Sequence, residues 1–353
     1  MILPATTLAS VLLLVLALFC WGSWVNAQRL VFKWRFELFY YDFALGATLC
    51  AVTAALVLGN MNPQELTITD NLVLAGYRKL AFALAAGVVV NLATILMVAS
   101  VSISGMTVAF PLVFGVGLTV ASVVNFIDNP QGANVILLFG GIVLVLVSAV
   151  VDSFAYRWHL DALTALSKAG PMLDPRTRLP VKAPLAARGL VLGALAGVIY
   201  GLFFPLIEAS RFGENGLGPY GIAALAGAGI FLSTLLYVPF FVNFPVLGAP
   251  VNILDYFKGA KKQHFWGIFA GIVWAAGLVA ALVAAASTAA KPLIAPSTAL
   301  LYGAPVLGVL WGTVAWQEFR GSTTAVKMMI LATVVVYAAG LALISLAPVY
   351  ASK

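Results

Sequence analysis

The chain has 353 residues, of which 63% are hydrophobic and only 9% are charged. Soluble domains carry about 25% charged residues, so this composition excludes a surface that faces water on all sides. The net charge of +7 does not predict nucleic-acid binding, because the Lys and Arg residues lie in the gaps between long apolar runs. Basic gaps beside apolar runs are typical of integral membrane proteins, so we expect the chain to span a lipid bilayer.

Ten apolar runs are long enough for a helix that crosses a bilayer, which takes roughly 20 residues. Residues 80–127 carry no charge and are divided at residues 102–105. Residues 215–254 are also uncharged, and there Pro239 and Pro245 are expected to end or break the helix. The predicted spans are 5–26, 38–59, 80–101, 104–127, 132–154, 189–208, 219–243, 264–287, 297–317 and 326–348. Backbone groups in lipid must pair internally, so the prediction is an all-α membrane protein with ten transmembrane helices.

The distribution of basic residues predicts how the spans are oriented. Of the 19 Lys and Arg residues, 14 lie in or beside the loops that follow odd-numbered spans, and 5 lie elsewhere. Cytoplasmic loops carry the excess of basic residues, so the odd loops are predicted in the cytoplasm and both termini outside. The expected location is the cytoplasmic (inner) membrane of a bacterium.

The two halves of the chain repeat short motifs in the same order. Trp21-Gly22-Ser23-Trp24 corresponds to Tyr200-Gly201-Leu202-Phe203, and Ala86-Gly87 corresponds to Ala270-Gly271. A repeat of five spans places the second copy upside down relative to the first, which is an architecture of secondary transporters. We therefore predict a five-helix repeat at 1–155, a central cytoplasmic loop at 156–188 and a second, inverted five-helix repeat at 189–353.

Four segments of the chain resemble a known family of carriers. They are Gly22-Ser23-Trp24, Phe39-Tyr40-Tyr41-Asp42-Phe43, Asn125-Phe126-Ile127-Asp128-Asn129, and Pro305 to Gly312 with Glu318 after it. In this order they resemble the plant ureide permeases, and the chain is identified as a member of the drug/metabolite transporter superfamily. The resemblance implies ten helices in inverted repeats that move allantoin, or nucleobases such as uracil, together with protons. Related branches of the superfamily move sugars.

The central loop departs from the plant proteins. They have a longer loop with a phosphate-loop-like motif, whereas residues 156–188 contain no Gly-x-x-x-x-Gly-Lys-Ser/Thr. Nucleotide binding is therefore not expected. The chain has two cysteines, Cys20 and Cys50, and two histidines, His159 and His264. Their spacing is not that of metal ligands, so no metal or cofactor is predicted.

Polar and aromatic residues within the spans are candidates for binding the solute. Asn91 offers an amide donor and acceptor halfway along the third span, where the alternative is a hydrogen bond between helices. Trp274 lies at a similar depth in the eighth span and is suited to stack on a flat solute, although most membrane tryptophans form interfacial belts. The predicted substrate-binding residues are Trp21, Asn91, Thr107, Tyr200, Trp274 and Tyr302.

Carboxyl groups beside the spans are candidates for carrying protons. Acidic residues in membrane segments are costly and are often functional, although salt bridging or solvation is the alternative near a span end. Asp42 and Glu318 lie in the segments that resemble ureide permeases, and they are the predicted proton-coupling residues. Pro111 and Pro305 occupy matching positions of the two halves and are predicted hinges, because proline kinks a helix.

These features favour a secondary active transporter that takes up a ureide or nucleobase with protons by alternating access. A sugar or nucleoside symporter is the main alternative, and a drug exporter is a weaker one. An enzyme is not expected, since no catalytic motif is present, and no ring of like charge indicates a channel. The expected partners are a small-molecule solute, protons and membrane lipid, with no nucleic acid, and the chain is expected to be a monomer or a homodimer.

Overall fold

The computed structural model describes residues 1–31, 34–61, 66–167, 186–213, 215–246, 248–287 and 301–351, and within these ranges every regular element is a helix. The α-helices are α1 (Thr7–Ser23), α2 (Asn26–Leu30), α3 (Phe36–Leu58), α4 (Ile68–Leu74), α5 (Tyr77–Ser104), α6 (Met106–Asp128), α7 (Val135–Ser167), α8 (Ala186–Gly201), α9 (Phe203–Arg211), α10 (Pro219–Asn243), α11 (Lys261–Ala286), α12 (Ala304–Leu310) and α13 (Thr324–Leu346). Two 3₁₀ turns lie at Pro130–Gly132 and Ile253–Lys258, and a π-helical turn lies at Trp311–Ala315. Residues 168–185 of the predicted central loop lie outside the described residues.

Nine helical segments in the described ranges are long and apolar enough to cross a bilayer, and the chain is an integral membrane protein. They coincide with nine of the predicted spans, with α1 and α2 forming the first and α8 and α9 forming the sixth. At the predicted ninth span, 297–317, the described residues form a shorter apolar helix at Ala304–Ala315. Residues 297–300 of that span lie outside the described part of the chain.

The helix ends test several details of the predicted spans. The division of residues 80–127 is confirmed, since α5 ends at Ser104 and Gly105 turns the chain with a φ of 86°. Pro239 does not break its helix, since α10 continues through it, and the helix ends at Asn243, the predicted end of the seventh span and two residues before Pro245. Proline is tolerated within membrane helices, where neighbouring groups pair the carbonyl that it leaves free. The helix α7 also extends beyond the predicted end of the fifth span, because a helix does not stop where its charged residues begin.

The first and sixth spans are both interrupted. The helix α1 ends at Ser23 before α2 begins, and α8 ends at Gly201 before α9 begins at Phe203. Pro205 explains the second break, because proline has no N–H to bond to the Gly201 carbonyl one turn earlier. Both breaks fall in the tetrapeptides that the sequence repeat pairs, so the two halves share an interruption at corresponding positions.

Helix packing follows the correspondence between the two halves. The helix α3 packs against α11, and α5 packs against α10. Likewise α11 packs against α1, and α5 packs against α8. The second span, α3, corresponds to the seventh, α10, and the third span, α5, corresponds to the eighth, α11. The contact of α3 with α11 therefore corresponds to the contact of α10 with α5. In the same way, the contact of α1 with α11 corresponds to the contact of α8 with α5. The core therefore forms between the halves of the chain rather than inside each half.

Two close helix crossings depend on glycines that the sequence repeat pairs. A Cβ atom added to Gly271 would lie 2.0 Å from the carbonyl oxygen of Phe43 in α3. A Cβ atom added to Gly87 would lie 2.1 Å from the carbonyl oxygen of Ala226 in α10. Membrane helices approach this closely only where small residues line the contact.

Gly87→Ala is expected to lower the melting temperature of the detergent-purified protein, because the added methyl group forces α5 and α10 apart. Overpacking of this kind costs about 1–3 kcal/mol. Gly140→Ala on α7 is the matched control, since its added Cβ would meet only Leu343 Cδ1 at 4.0 Å. Equal melting temperatures for the two variants would contradict the crossing.

Candidate functional site

The Glu318 carboxylate lies at the N-terminus of α6 and is bound by several donors. It accepts hydrogen bonds from the backbone N–H groups of Met106 and Thr107, each at 2.8 Å. The Thr107 hydroxyl donates to it at 2.6 Å, and Arg29 of α2 forms an ion pair with it. The first N–H groups of a helix have no partner within the helix and favour an anion. These donors together contact both oxygens of the Glu318 carboxylate.

The backbone around Glu318 is shaped to admit this carboxylate. A Cβ atom on Gly105 would lie 2.6 Å from the Glu318 carboxyl carbon, and one on Gly312 would lie 2.5 Å from Oε2. Gln317 has a φ of 50°, which is uncommon for a residue with a side chain. The π-helical turn Trp311–Ala315 comes just before it, and such turns are frequent at functional sites. Backbone strain of this kind persists where surrounding contacts over-determine it.

Side chains of the first span also bind the segment that carries Glu318. Trp311 donates from Nε1 to the Ser23 hydroxyl at 3.0 Å. Trp316 donates from Nε1 to Asn26 Oδ1 at 2.5 Å. We call these two contacts and the hydrogen bonds and ion pair of Glu318 the Glu318 cluster. It joins the first span to the region after α12.

Asp42 lies in a second polar cluster at the same end of the bundle, where α2 leads into α3. Its Oδ1 accepts a hydrogen bond from the Tyr256 hydroxyl at 2.6 Å, and His264 Nδ1 lies 2.9 Å from its Oδ2. The Asp42 side chain is 1% exposed, whereas that of His264 is 26% exposed. Burial and the hydrogen bond to Asp42 raise the pKa of Tyr256, so its hydroxyl keeps the proton that it donates. We call these three residues the Asp42 cluster.

Asn91 is fully buried at the middle of α5 and faces α10. Its Nδ2 donates to the hydroxyls of Ser233 and Thr234 at 2.8 and 2.9 Å, and to the Ile230 carbonyl oxygen at 3.1 Å. Its Oδ1 accepts no hydrogen bond from the described residues. A buried amide oxygen without a donor is costly, and it offers an acceptor to a ligand that carries an N–H group.

Three predicted aromatic residues meet around Phe204, and a fourth, Trp274, is joined to them through its backbone carbonyl. The Phe204 ring centroid lies 6.1 Å from that of Trp21, 6.4 Å from that of Tyr200 and 5.4 Å from that of Tyr302. Trp21 Nε1 donates to the Trp274 carbonyl oxygen at 3.2 Å. We call these five residues the aromatic band, and it draws on both halves of the chain.

Two residues of α3 connect Asn91 with the aromatic band. The Tyr40 hydroxyl donates to the Asn91 carbonyl oxygen at 3.2 Å. The Tyr40 ring centroid lies 4.9 Å from that of Phe43, which lies 6.1 Å from that of Trp274. A continuous row of polar and aromatic groups therefore runs through the interior.

Not every predicted site residue joins this row. Thr107 lies in the Glu318 cluster, where its hydroxyl already binds the carboxylate, and it is separate from the aromatic band. Pro111 and Pro305 do come together, because both line one crevice between α6, α12 and α13 beside Thr333 and Tyr337. The predicted hinges are thus neighbours in space.

Sequence reasoning missed several residues of the site. Phe204 follows the Tyr200-Gly201 repeat motif, but nothing in the pattern marks it as the centre of the aromatic band. The sequence shows Arg29 only as one of the basic residues in a loop. The spacing of His264 does not indicate a metal ligand. His264 lies at the start of the eighth span, however, and this is the end of the bundle where Asp42 lies at the start of the second span.

Two curated proteins of Arabidopsis thaliana match the chain along nearly its whole length. Ureide permease 1 is 20% identical over 375 aligned residues, which cover 94% of this chain and 95% of that protein. The chain is similar to ureide permeases. Ureide permease 2 is 19% identical, with the same coverage of the two chains. No family profile matches the chain. Both relatives are named as permeases, in agreement with the expectation that the chain is not an enzyme.

Three of the four segments that resemble ureide permeases take part in the contacts described above. Within one such segment, Tyr40 binds the Asn91 backbone, Asp42 forms its own cluster, and Phe43 contacts Trp274. Another segment ends in Glu318. The resemblance therefore falls on residues that contact one another across the bundle.

Glu318→Gln is expected to destabilise the protein by about 2–3 kcal/mol, because hydrogen bonds to a charged group are lost and Arg29 keeps no counter-ion there. Melting in detergent measures this change. Glu208→Gln is the matched control, since Glu208 is 39% exposed and pairs with Arg211 only at 3.8 Å, a contact that contributes less than about 1 kcal/mol. A loss for Glu318→Gln no larger than for Glu208→Gln would argue against the cluster.

Proposed function

We propose that the chain is a secondary transporter for a flat, amide-bearing polar solute: a ureide such as allantoin or a nucleobase such as uracil. The observation that supports this most is Asn91, whose buried Oδ1 has no donor among the described residues and whose backbone carbonyl binds Tyr40, at one end of the row of aromatic rings. A buried amide acceptor together with aromatic rings suits a planar solute with N–H groups. The similarity to two proteins named ureide permeases over 94% of the chain supports the same solute class.

The solute site proposed here lies between the halves of the chain. Asn91 offers the hydrogen bond, and the rings of Trp21, Tyr200, Trp274 and Tyr302 form the walls. The Gly201 carbonyl at the break before Phe203 is a further part of the proposed site. It has no helical donor, because Pro205, four residues later, lacks an N–H group. Unwound carbonyls of interrupted helices are typical parts of transporter sites. Thr107 is given a different role, which is to hold Glu318.

The proposed architecture is ten spans in two inverted repeats. Ser287, after α11, donates to the Pro4 carbonyl oxygen at one end of the bundle, whereas Glu318 lies at the start of α6 at the other. The chain must cross between these two points, which supports a ninth crossing that includes α12. Paired breaks, paired glycine crossings and exchangeable helix contacts support the repeat.

The proposed mechanism is alternating access, with the Glu318 and Asp42 clusters closing one end of the bundle. The excess of basic residues in the odd loops supports a cytoplasmic position for that end, and hence termini outside. Opening would separate the first span from the region after α12. The neighbouring Pro111 and Pro305, together with the π-helical turn, are the proposed hinges. Pro111 weakens the hydrogen-bond ladder inside α6, whereas Pro305 lies in the first turn of α12, just before the π-helical turn.

Protons are the proposed coupling ion, and Asp42 and Glu318 are the proposed coupling residues. Asp42 is suited to this because the buried carboxylate contacts His264, whose side chain is partly exposed. Glu318 is suited to proton coupling because of its ion pair with Arg29. Protonating the carboxylate would remove this ion pair and favour opening of the Glu318 cluster.

Allantoin is expected to raise the melting temperature of the purified protein, because a ligand of the folded state stabilises it by about 2.7 kcal/mol at a hundredfold excess over Kd. Asn91→Leu is expected to remove this shift yet still fold, since Ser233 and Thr234 also bond to carbonyls of their own helix. Asn243→Leu at the exposed end of α10 is the control and is expected to keep the shift.

A shift with sugars but not with allantoin or uracil would replace the proposed solute class by the sugar alternative. A shift that Asn91→Leu leaves unchanged would contradict the proposed site but not the transporter.

A further inference from the structure

Asp152 is a carboxyl group buried inside the bundle on α7. It is 1% exposed, and neither of its oxygens has a hydrogen-bond partner among the described residues. Tyr156 and His159 follow at spacings of one and two helical turns, so the three residues share one face of α7. His159 is also buried, and its Nδ1 has no partner in the described part of the chain.

This face of α7 packs against the segment that carries Glu318. The His159 ring centroid lies 5.0 Å from that of Phe319, the residue after Glu318. Ala155 belongs to the same buried apolar cluster as Phe319. Asp152 therefore lies on the face of α7 that packs against the Glu318 segment.

The surroundings of Asp152 favour its uncharged form. A buried carboxylate needs donors or a cation, and Asp152 has neither a hydrogen bond nor an ion pair within the described residues. The nearby cation, Arg29, is already paired with Glu318, which presents a second negative charge. Two carboxylates that face each other without water resist ionising together.

The other helices against Asp152 add little charge. The helix α6 carries no charged side chain before Asp128 at its far end, and α13 carries only Lys327, which is exposed. Tyr156 donates a hydrogen bond from its hydroxyl to the Ile103 carbonyl oxygen, and Tyr337 of α13 donates one to the Tyr302 carbonyl oxygen. Among the described residues, the other titratable groups around Asp152 are His159 on its own helix and Glu318, paired with Arg29, in the segment that packs against this face of α7.

We propose that Asp152 is a proton-binding residue of the transport cycle, protonated while the Glu318 cluster is closed and deprotonated when that cluster opens to water. The proposal rests on the proposed transport function and goes beyond Asp42 and Glu318. On opening, the Asp152 O–H bond breaks and the proton passes to a water molecule, which leaves a hydrated carboxylate. Closure expels this water, so the closed form returns only after Asp152 has taken up a proton.

The first experiment needs no solute. The melting temperature of the wild type is expected to fall as pH rises, because the closed form must then hold an unfavourable carboxylate at position 152 or open. Asp152→Asn, which keeps the shape of the neutral carboxyl group, is expected to show a smaller fall. Asp161→Asn is the matched control, an exposed aspartate on the same helix, and is expected to follow the wild type. Identical pH profiles for Asp152→Asn and the wild type would overturn the proposal.

The second experiment uses labelled allantoin and protein reconstituted in liposomes. Asp152→Asn is expected to keep exchange of labelled for unlabelled allantoin and to lose the accumulation that an imposed pH gradient drives. Gradient-driven accumulation equal to that of the wild type would overturn the proposal. If the wild type neither binds nor moves allantoin, the proposed function fails, and the melting profiles still decide whether Asp152 holds a proton. Should Asp152→Asn fail to fold, Asp152→Leu provides a second uncharged variant for both tests.

Discussion

One end of the bundle depends on the hydrogen bonds and the ion pair of the Glu318 carboxylate. It binds the first N–H groups of α6, the Thr107 hydroxyl and Arg29 of α2, so a single anion joins three parts of the chain. In the absence of water none of these partners is easily replaced. The same carboxylate requires glycine at positions 105 and 312, because any side chain there would occupy the space of the carboxylate.

Away from that end, the interior combines close helix packing with a few polar groups that cross between helices. Gly87 and Gly271 let helices of opposite halves touch, and Asn91 is held by α10 through its Nδ2. Among the described residues, this arrangement leaves the amide oxygen of Asn91 without a donor. A transporter needs such a site, because a solute must gain contacts that the closed protein does not already satisfy.

Much of the fold could be predicted from the sequence, because the thickness of the bilayer sets the length of the apolar spans. The charged residues lie in the segments between these spans. Gly105 marked the boundary between α5 and α6 correctly, and α10 ends at the predicted residue, although Pro239 does not break it, since a membrane helix accommodates proline. The site was harder to predict. The repeat draws attention to Trp21 and Tyr200, but the positions of Phe204 and His264 depend on which helices pack together, and one sequence does not specify that. The proton and substrate roles of these residues stay predictions.

The most direct test of the account is uptake of labelled allantoin into liposomes that contain the purified protein, with and without an acidic exterior. The account predicts saturable uptake that exceeds that of protein-free liposomes, competes with unlabelled allantoin and increases when the exterior is acidified. Uptake equal to that of protein-free liposomes, under conditions where the protein remains folded, would contradict the proposed function.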